Sequence, residues 1–277
     1  KITIHLESSE QVNDIFAVWG EAKTQDIEVE IVVGPQVGAF TPNLSAIGTT
    51  PKAKLTIRGK DTPAVINLPF AIQAHSVHFE NVQFGPGRNN GQIAAIEGIT
   101  FQRCAVLQNR SKKSRMNNPI LHIGGLKKSN PVISFIDTWF VGNRGSAALI
   151  DTLPRAGGLI AQIRFERVVF ADNTVRHLIN AGYVEDILFK DTLYLPSTLI
   201  RQPVLIGTDV LQWQLENSHW YVSNPEHVEI MGKSGATEPA PVTLNNSTLH
   251  VFSAGETPLR WTLNETSFST SSPEAYP

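Results

Sequence analysis

The sequence predicts an all-β fold: a single-stranded right-handed parallel β-helix of about 8–10 coils with an N-terminal capping α-helix. Three observations predict it. A short motif recurs along most of the chain, its apolar positions alternate with period two, and the spacing between copies varies as loops would make it vary.

The motif is apolar-x-(Phe/Leu)-x-polar-x-x-apolar. It first reads Val77-His-Phe79-Glu-Asn81-Val-Gln-Phe84, and its Phe/Leu position returns as Phe101, Phe135, Phe165, Phe189, Leu215, Leu244 and Leu263. The spacings from Phe79 onward are 22, 34, 30, 24, 26, 29 and 19 residues, so the shortest copy approaches one bare coil. Apolar-x-apolar puts two side chains on one face of a strand. The polar residue two places on (Asn81, Arg103, Asp137, Arg167, Asp191, Asn217, Asn246) breaks that alternation and marks a bend. Asn and Asp suit such a bend because they tolerate the left-handed backbone region. The apolar residue at the fifth place re-enters the interior on a new strand.

A second apolar run separates the copies, as in Ile93-Ala-Ala-Ile96, Ile120-Leu-His-Ile123 and His177-Leu-Ile179. Each copy therefore holds about three short strands, which is one coil of a solenoid. A β-sandwich, the main alternative, would demand hairpin turns throughout.

A solenoid must close its open ends. Ile2, Ile4 and Leu6 alternate as a strand, and Ser8-Ser9-Glu10-Gln11 reads as a capping box. Val12, Ile15, Phe16 and Trp19 then follow at helical spacing, predicting an amphipathic cap over residues 9–22. Leu55-Thr-Ile57-Arg-Gly59 is expected to begin the regular stack. Residues 1–268 are expected to form one β-helix domain and residues 269–277 a polar tail.

Composition bounds the function. With 23 basic and 25 acidic residues the formal charge is −2, so no general pull toward nucleic acid or an anionic membrane follows. The sole cysteine, Cys104, excludes an internal disulfide and fits a small buried hydrophobe. No apolar run is long enough to span a membrane. The opening at Lys1 is that expected of a mature product that is secreted, periplasmic or displayed at the cell surface. Nothing in the pattern calls for a cofactor, and oligomeric state is left open. The sequons at Asn43, Asn109, Asn245, Asn246 and Asn264 carry little weight in so Asn-, Ser- and Thr-rich a chain.

The opening, with Ile31-Val-Val-Gly34 and Leu55-Thr-Ile-Arg-Gly59 followed by Thr62-Pro-Ala-Val65-Ile66, resembles that of the pectin lyase-like superfamily. Phe140-Val-Gly-Asn143 and Phe170-Ala-Asp-Asn173 resemble the Phe-x-x-Asn repeats of surface-displayed β-helix proteins. The likeness covers nearly the whole chain and implies fold, which does not fix function. Lys190-Asp-Thr-Leu-Tyr194 is similar to the Gln-Asp-Thr-Leu-Tyr stretch of pectin methylesterases, with Lys in place of Gln. Their second catalytic Asp motif is missing, as are the Asn-Thr-Asp and Gly-His-Gly motifs of polygalacturonases and the Trp-x-Asp-His segment of pectate lyases. Asp191-Thr-Leu-Tyr194 is also one more copy of the internal repeat, which explains it without catalysis.

Side chains flanking each Phe/Leu should form an outward ladder, with rungs about 4.8 Å apart. Its richest patch is Arg164, Glu166, Arg167, Lys190, Asp191 and Glu216. Arg164 and Lys190 could neutralise a uronate while a carboxylate takes the adjacent C–H proton. Paired charges on a solvated sheet face are the plainer reading. His78 and Glu80 share one face near His75, but no third ligand is evident, so no metal site is assigned. The basic loop Asn109–Lys113 with Arg115 could grip an acidic glycan. Trp139 occupies an outward position in a column shared with Leu193 and His219, where aromatics can stack on sugar faces. A loop over 144–160 could instead cover that stripe. Trp213, Trp220 and Trp261 fall on inward positions.

Two function classes survive. The first is a non-catalytic extracellular or surface β-helix that binds polysaccharide or a cell-surface glycan, or mediates adhesion, with Trp139, Arg167 and His219 as contacts. The second is a lyase or glycoside hydrolase on an acidic polysaccharide, with Arg164, Glu166, Lys190, Asp191 and Glu216 as candidate catalytic groups. The first is favoured because no enzyme motif is intact.

Overall fold

The alternation read from the motif becomes a stack of parallel strands whose inward residues meet their equivalents on the next coil. The computed structural model describes residues 1–88, 90–110, 119–126, 129–145, 147–152, 160–195, 205–222, 242–251, 261–264 and 267–270. They form a parallel β-helix with one short N-terminal helical segment.

The Phe/Leu positions make one buried column. Phe79, Phe101, Phe135, Phe165, Phe189, Leu215 and Leu244 pair in that order through parallel strands. The rings stack nearly face to face, with Phe101 and Phe135 centroids 4.5 Å apart and Phe135 and Phe165 4.9 Å apart. Ring pairs of this kind add about 0.5–1.5 kcal/mol each beyond the apolar area they bury. The column starts earlier than expected: Ile4, Ile31 and Ile57 precede Phe79 in register. The strand Ile2–Leu6, not the segment at Leu55, begins the stack. The helix inserted after it separates the first two coils and hides their repeat.

That helix begins as a 3-10 turn, Ser9–Gln11, and continues as an α-helix, Val12–Ala22. Gln11 Oε1 accepts the backbone N–H groups of Ser8 at 3.0 Å and Glu7 at 2.7 Å, completing the capping box. Ile15, Trp19 and Ala22 are its buried residues, one stripe turned to the core. Among the described residues no helix is long and apolar enough to cross a membrane.

The polar residue after each Phe/Leu turns the chain. Asn81, Arg103, Asp137, Arg167, Asp191, Asn217 and Asn246 all have φ between 44° and 53°. Asn and Asp enter this region at low cost, whereas Arg does so less readily. After the bend, three- and four-residue strands from Ala64–Ile66 to Ser267–Thr270 build a second sheet. Its inward column contains Ile66, Phe84, Val106, Phe140, Phe170, Tyr194 and Trp220. Trp213 and Trp220 are buried as expected, whereas the Trp261 side chain lies outside the description. The last described strand, Ser267–Thr270, crosses the expected boundary at 268, and residues 271–277 lie outside the described residues.

Two buried polar ladders support the bends. Under the first, Thr138 Oγ1 donates to the Ile136 carbonyl at 3.0 Å and Ser218 Oγ to that of Glu216 at 2.8 Å. Cys104 occupies the same place, its thiol directed at the Gln102 carbonyl at 3.4 Å. Beneath the second bend stand Asn109, Asn143 and Asn173, all fully or almost fully buried. Asn109 Nδ2 donates to Asn143 Oδ1 at 3.1 Å, and Asn143 Nδ2 to Asn173 Oδ1 at 2.9 Å. Each amide also donates to a carbonyl of an adjacent coil: Asn109 to Phe84, Asn143 to Val106 and Asn173 to Phe140. These bonds satisfy groups that would otherwise be costly to bury.

Candidate functional site

The outward rows of the first sheet have the predicted register. Arg164, Leu188 and Gln214 form one row, and Glu166, Lys190 and Glu216 the next. The structure brings Arg164, Glu166 and Arg167 together: the Glu166 carboxylate accepts hydrogen bonds from both guanidinium groups. Arg167 also donates from Nε to Asp137 Oδ1 at 2.6 Å. Lys190 and Glu216 extend the row, and no ion pair among the described residues joins them to Glu166. Asp191 stands at its bend, exposed, in the position that Asp137 and Arg167 hold on earlier coils.

The electrostatics of this patch favour fixed charge over proton transfer. Burial pushes the Glu166 carboxyl upward, but the Arg167 hydrogen bond and the Arg164 and Arg167 charges outweigh it and hold it below the usual value. The Arg167 hydrogen bond likewise lowers Asp137. A carboxylate so held is a weak base and is not kept protonated as an acid. Three coils earlier His78 is half-buried, and burial holds its imidazole below the ordinary value. His75 Nε2 lies 3.6 Å from the Glu97 carboxylate. Among the described residues no three His, Cys, Asp or Glu side chains gather as a ligand set.

The second sheet presents a different outer face. Ala105 and Leu107, Trp139 and Val141, Val169 and Ala171, and Leu193 and Leu195 occupy matched outward positions on four successive coils. His219 follows in the Trp139 column. The first bend turns alternate residues of each short strand outward, so this strip is a direct product of the repeat. Trp139 is 59% exposed and Leu195 37%. The described part of 144–160 leaves Trp139 open, while residues 146 and 153–159 lie outside the described residues. Trp139 and His219 thus share the expected column, three coils apart, with Val169 and Leu193 on the two coils between them. Arg167 lies on the adjoining bend, bound to acids.

Just past the second bend lies a feature that sequence reasoning missed. Arg88, Arg110 and Arg144 bridge one another in register on successive coils, and Thr174 is the next rung. All three arginines are exposed. They line a cleft of about 500 Å³ together with Pro86, Gly87, Gln108, Gly142 and Asp172. Gly85, at φ +103°, closes over Asn109: a Cβ there would come within 2.3 Å of Asn109 Oδ1. Among the described residues that Oδ1 has no hydrogen-bond partner. Asn109 is fully buried, which removes this sequon from the surface. Of the predicted basic loop, Arg110 belongs to the ladder, and residues 111–113 and Arg115 lie outside the described residues. A signal was present: Asn109-Arg110 and Asn143-Arg144 extend the Phe-x-x-Asn register by one residue.

The molecule therefore carries an ion-paired face, an open apolar strip and a cationic cleft at the strip's edge. Comparison of the chain with protein-family models, with curated proteins and with solved structures yields no match.

Proposed function

We propose that this chain is an extracellular or cell-surface β-helix, nearest in kind to the pectin lyase-like group, that binds a polysaccharide or cell-surface glycan without cleaving it. The strip around Trp139 carries the reading. Sugar rings present C–H faces, and an exposed indole flanked by Ala105 and Val169 offers them a flat apolar surface at low entropic cost. A row of such positions, one per coil, suits a chain-like ligand better than a compact one. Adhesion through a displayed glycan would use the same surface. The state of Glu166 supports binding over catalysis, since its two guanidinium partners already occupy the carboxylate.

A glycan array on the intact chain, followed by a product assay on each hit, tests this. The wild type should bind a defined set of glycans, release no new reducing end and form no unsaturated product. Trp139→Ala should weaken binding about tenfold, as loss of an exposed aromatic anchor does. Unchanged affinity in that variant would move the site off the strip. Product formation would overturn the non-catalytic reading in favour of chemistry on the Arg164, Lys190 and Glu216 rows.

A further inference from the structure

Arg103, Arg164 and Arg167 each reach a carboxylate. Arg88, Arg110 and Arg144 do not pair with any acid among the described residues, although they stand on successive coils. Like charges in directly paired positions destabilise a sheet. Their shared field draws anions into the concave space between them. That space, about 500 Å³, falls in the range of small-ligand clefts.

Direction narrows the ligand further. The rungs follow the solenoid axis at about 4.8 Å per coil, close to the length of one pyranose in an extended chain. Leu107 and Val141 lie three residues before Arg110 and Arg144, so apolar strip and cationic cleft run side by side. The cationic run ends after three coils, where Thr174 takes the next rung and Asp172 lines the cleft.

We infer that the Arg88–Arg110–Arg144 cleft is an oxyanion subsite that receives the carboxylate or sulfate groups of an acidic glycan lying along the solenoid axis. The inference rests on the glycan-binding reading and gives it a substrate class. Guanidinium groups meet either oxyanion through paired N–H donors, and alternate apolar and charged faces of such a glycan match the strip and the cleft.

The test is affinity of the whole chain for three oligosaccharides of equal length: a polyuronate, a sulfated glycan and a neutral glycan. A variant carrying Arg88→Gln, Arg110→Gln and Arg144→Gln is compared, with Arg110→Gln alone as a milder form. The wild type should prefer a charged glycan, and added salt should weaken that preference. The triple variant should lose about tenfold or more on the charged glycans and keep its affinity for the neutral one. Its urea midpoint should hold or rise, since exposed like charges have been removed. Preference for either uronate or sulfate supports the inference and names the oxyanion. Equal affinity of wild type and variants for the charged glycans would overturn the subsite and leave glycan binding standing. Failure to bind any of the three would overturn both. Tighter binding of a single-stranded DNA oligomer than of either charged glycan would reassign the cleft and overturn the inference.

Discussion

The Cys104 thiol occupies the column that Thr138, Thr192 and Ser218 fill on other coils. Burial pushes it up to about 12, so at neutral pH almost none is thiolate. The native chain should therefore resist alkylation by iodoacetamide and become reactive in urea. Cys104→Ser should shift stability by about 1 kcal/mol or less, because a hydroxyl already serves the same carbonyl geometry in the neighbouring coils. A native labelling rate equal to the unfolded rate would contradict this account. The sequence pointed to an interior cysteine, because a lone Cys at a β-period position behaves as a small hydrophobe. It could not show the hydrogen-bonding column, because Val82 and Val168 fill the same offset with a purely apolar group. At the bends legibility was higher. Even Arg103 and Arg167, poor left-handed residues by type, were placed there by their position in the repeat.

At the scale of elements, the pairing of Glu28–Val33 with Lys54–Gly59 carries a charge triad on its outer face. The Arg58 and Lys1 hydrogen bonds hold the Glu30 carboxyl down from 4.5 to about 2. A carboxylate lowered in the native state contributes stability that is complete above its ordinary value and is lost as pH falls through the native one. Here the window runs from 4.5 down to about 2. Arg58→Met should lower the urea midpoint at neutral pH and flatten its fall across that window. An equal loss at neutral pH and at about pH 2 would show that the ion pair is not the cause. The arginine ladder belongs to this scale too. Its members lie 22 and 34 residues apart, distances set by loops and not by the strands that align them. Only the coil register makes Arg88, Arg110 and Arg144 neighbours. The Trp139 column was legible because it falls inside the motif; the ladder was not, because it lies beyond the motif's last apolar position.

Across the whole molecule, stability is a sum over coils, each supported by the two beside it. Phe135 sits fully buried between Phe101 and Phe165 and also meets the edge of Phe140. Phe135→Ala should cost about 3–5 kcal/mol in urea unfolding, the range for emptying a well-packed aromatic site. A cost below about 1 kcal/mol would mean that the ring stack does not organise the core. The overall architecture was the most legible property of all. A period-two motif with a fixed internal length specifies a parallel stack, whatever its outward residues do.

That fixed length divides the chain into two regimes of change. From Phe135 through the bend at Asp137 to Phe140, and at the same places on the coils from Phe79 onward, the spacing never varies. A substitution here alters one rung, but a single inserted residue would rotate every later inward side chain of its coil to the opposite face. Between Arg110 and Leu121, or between Leu195 and Leu205, length is free, because the coil has already closed its register against its neighbours. Evolution or engineering can therefore change the length of chain between registered positions while the aromatic column keeps its order.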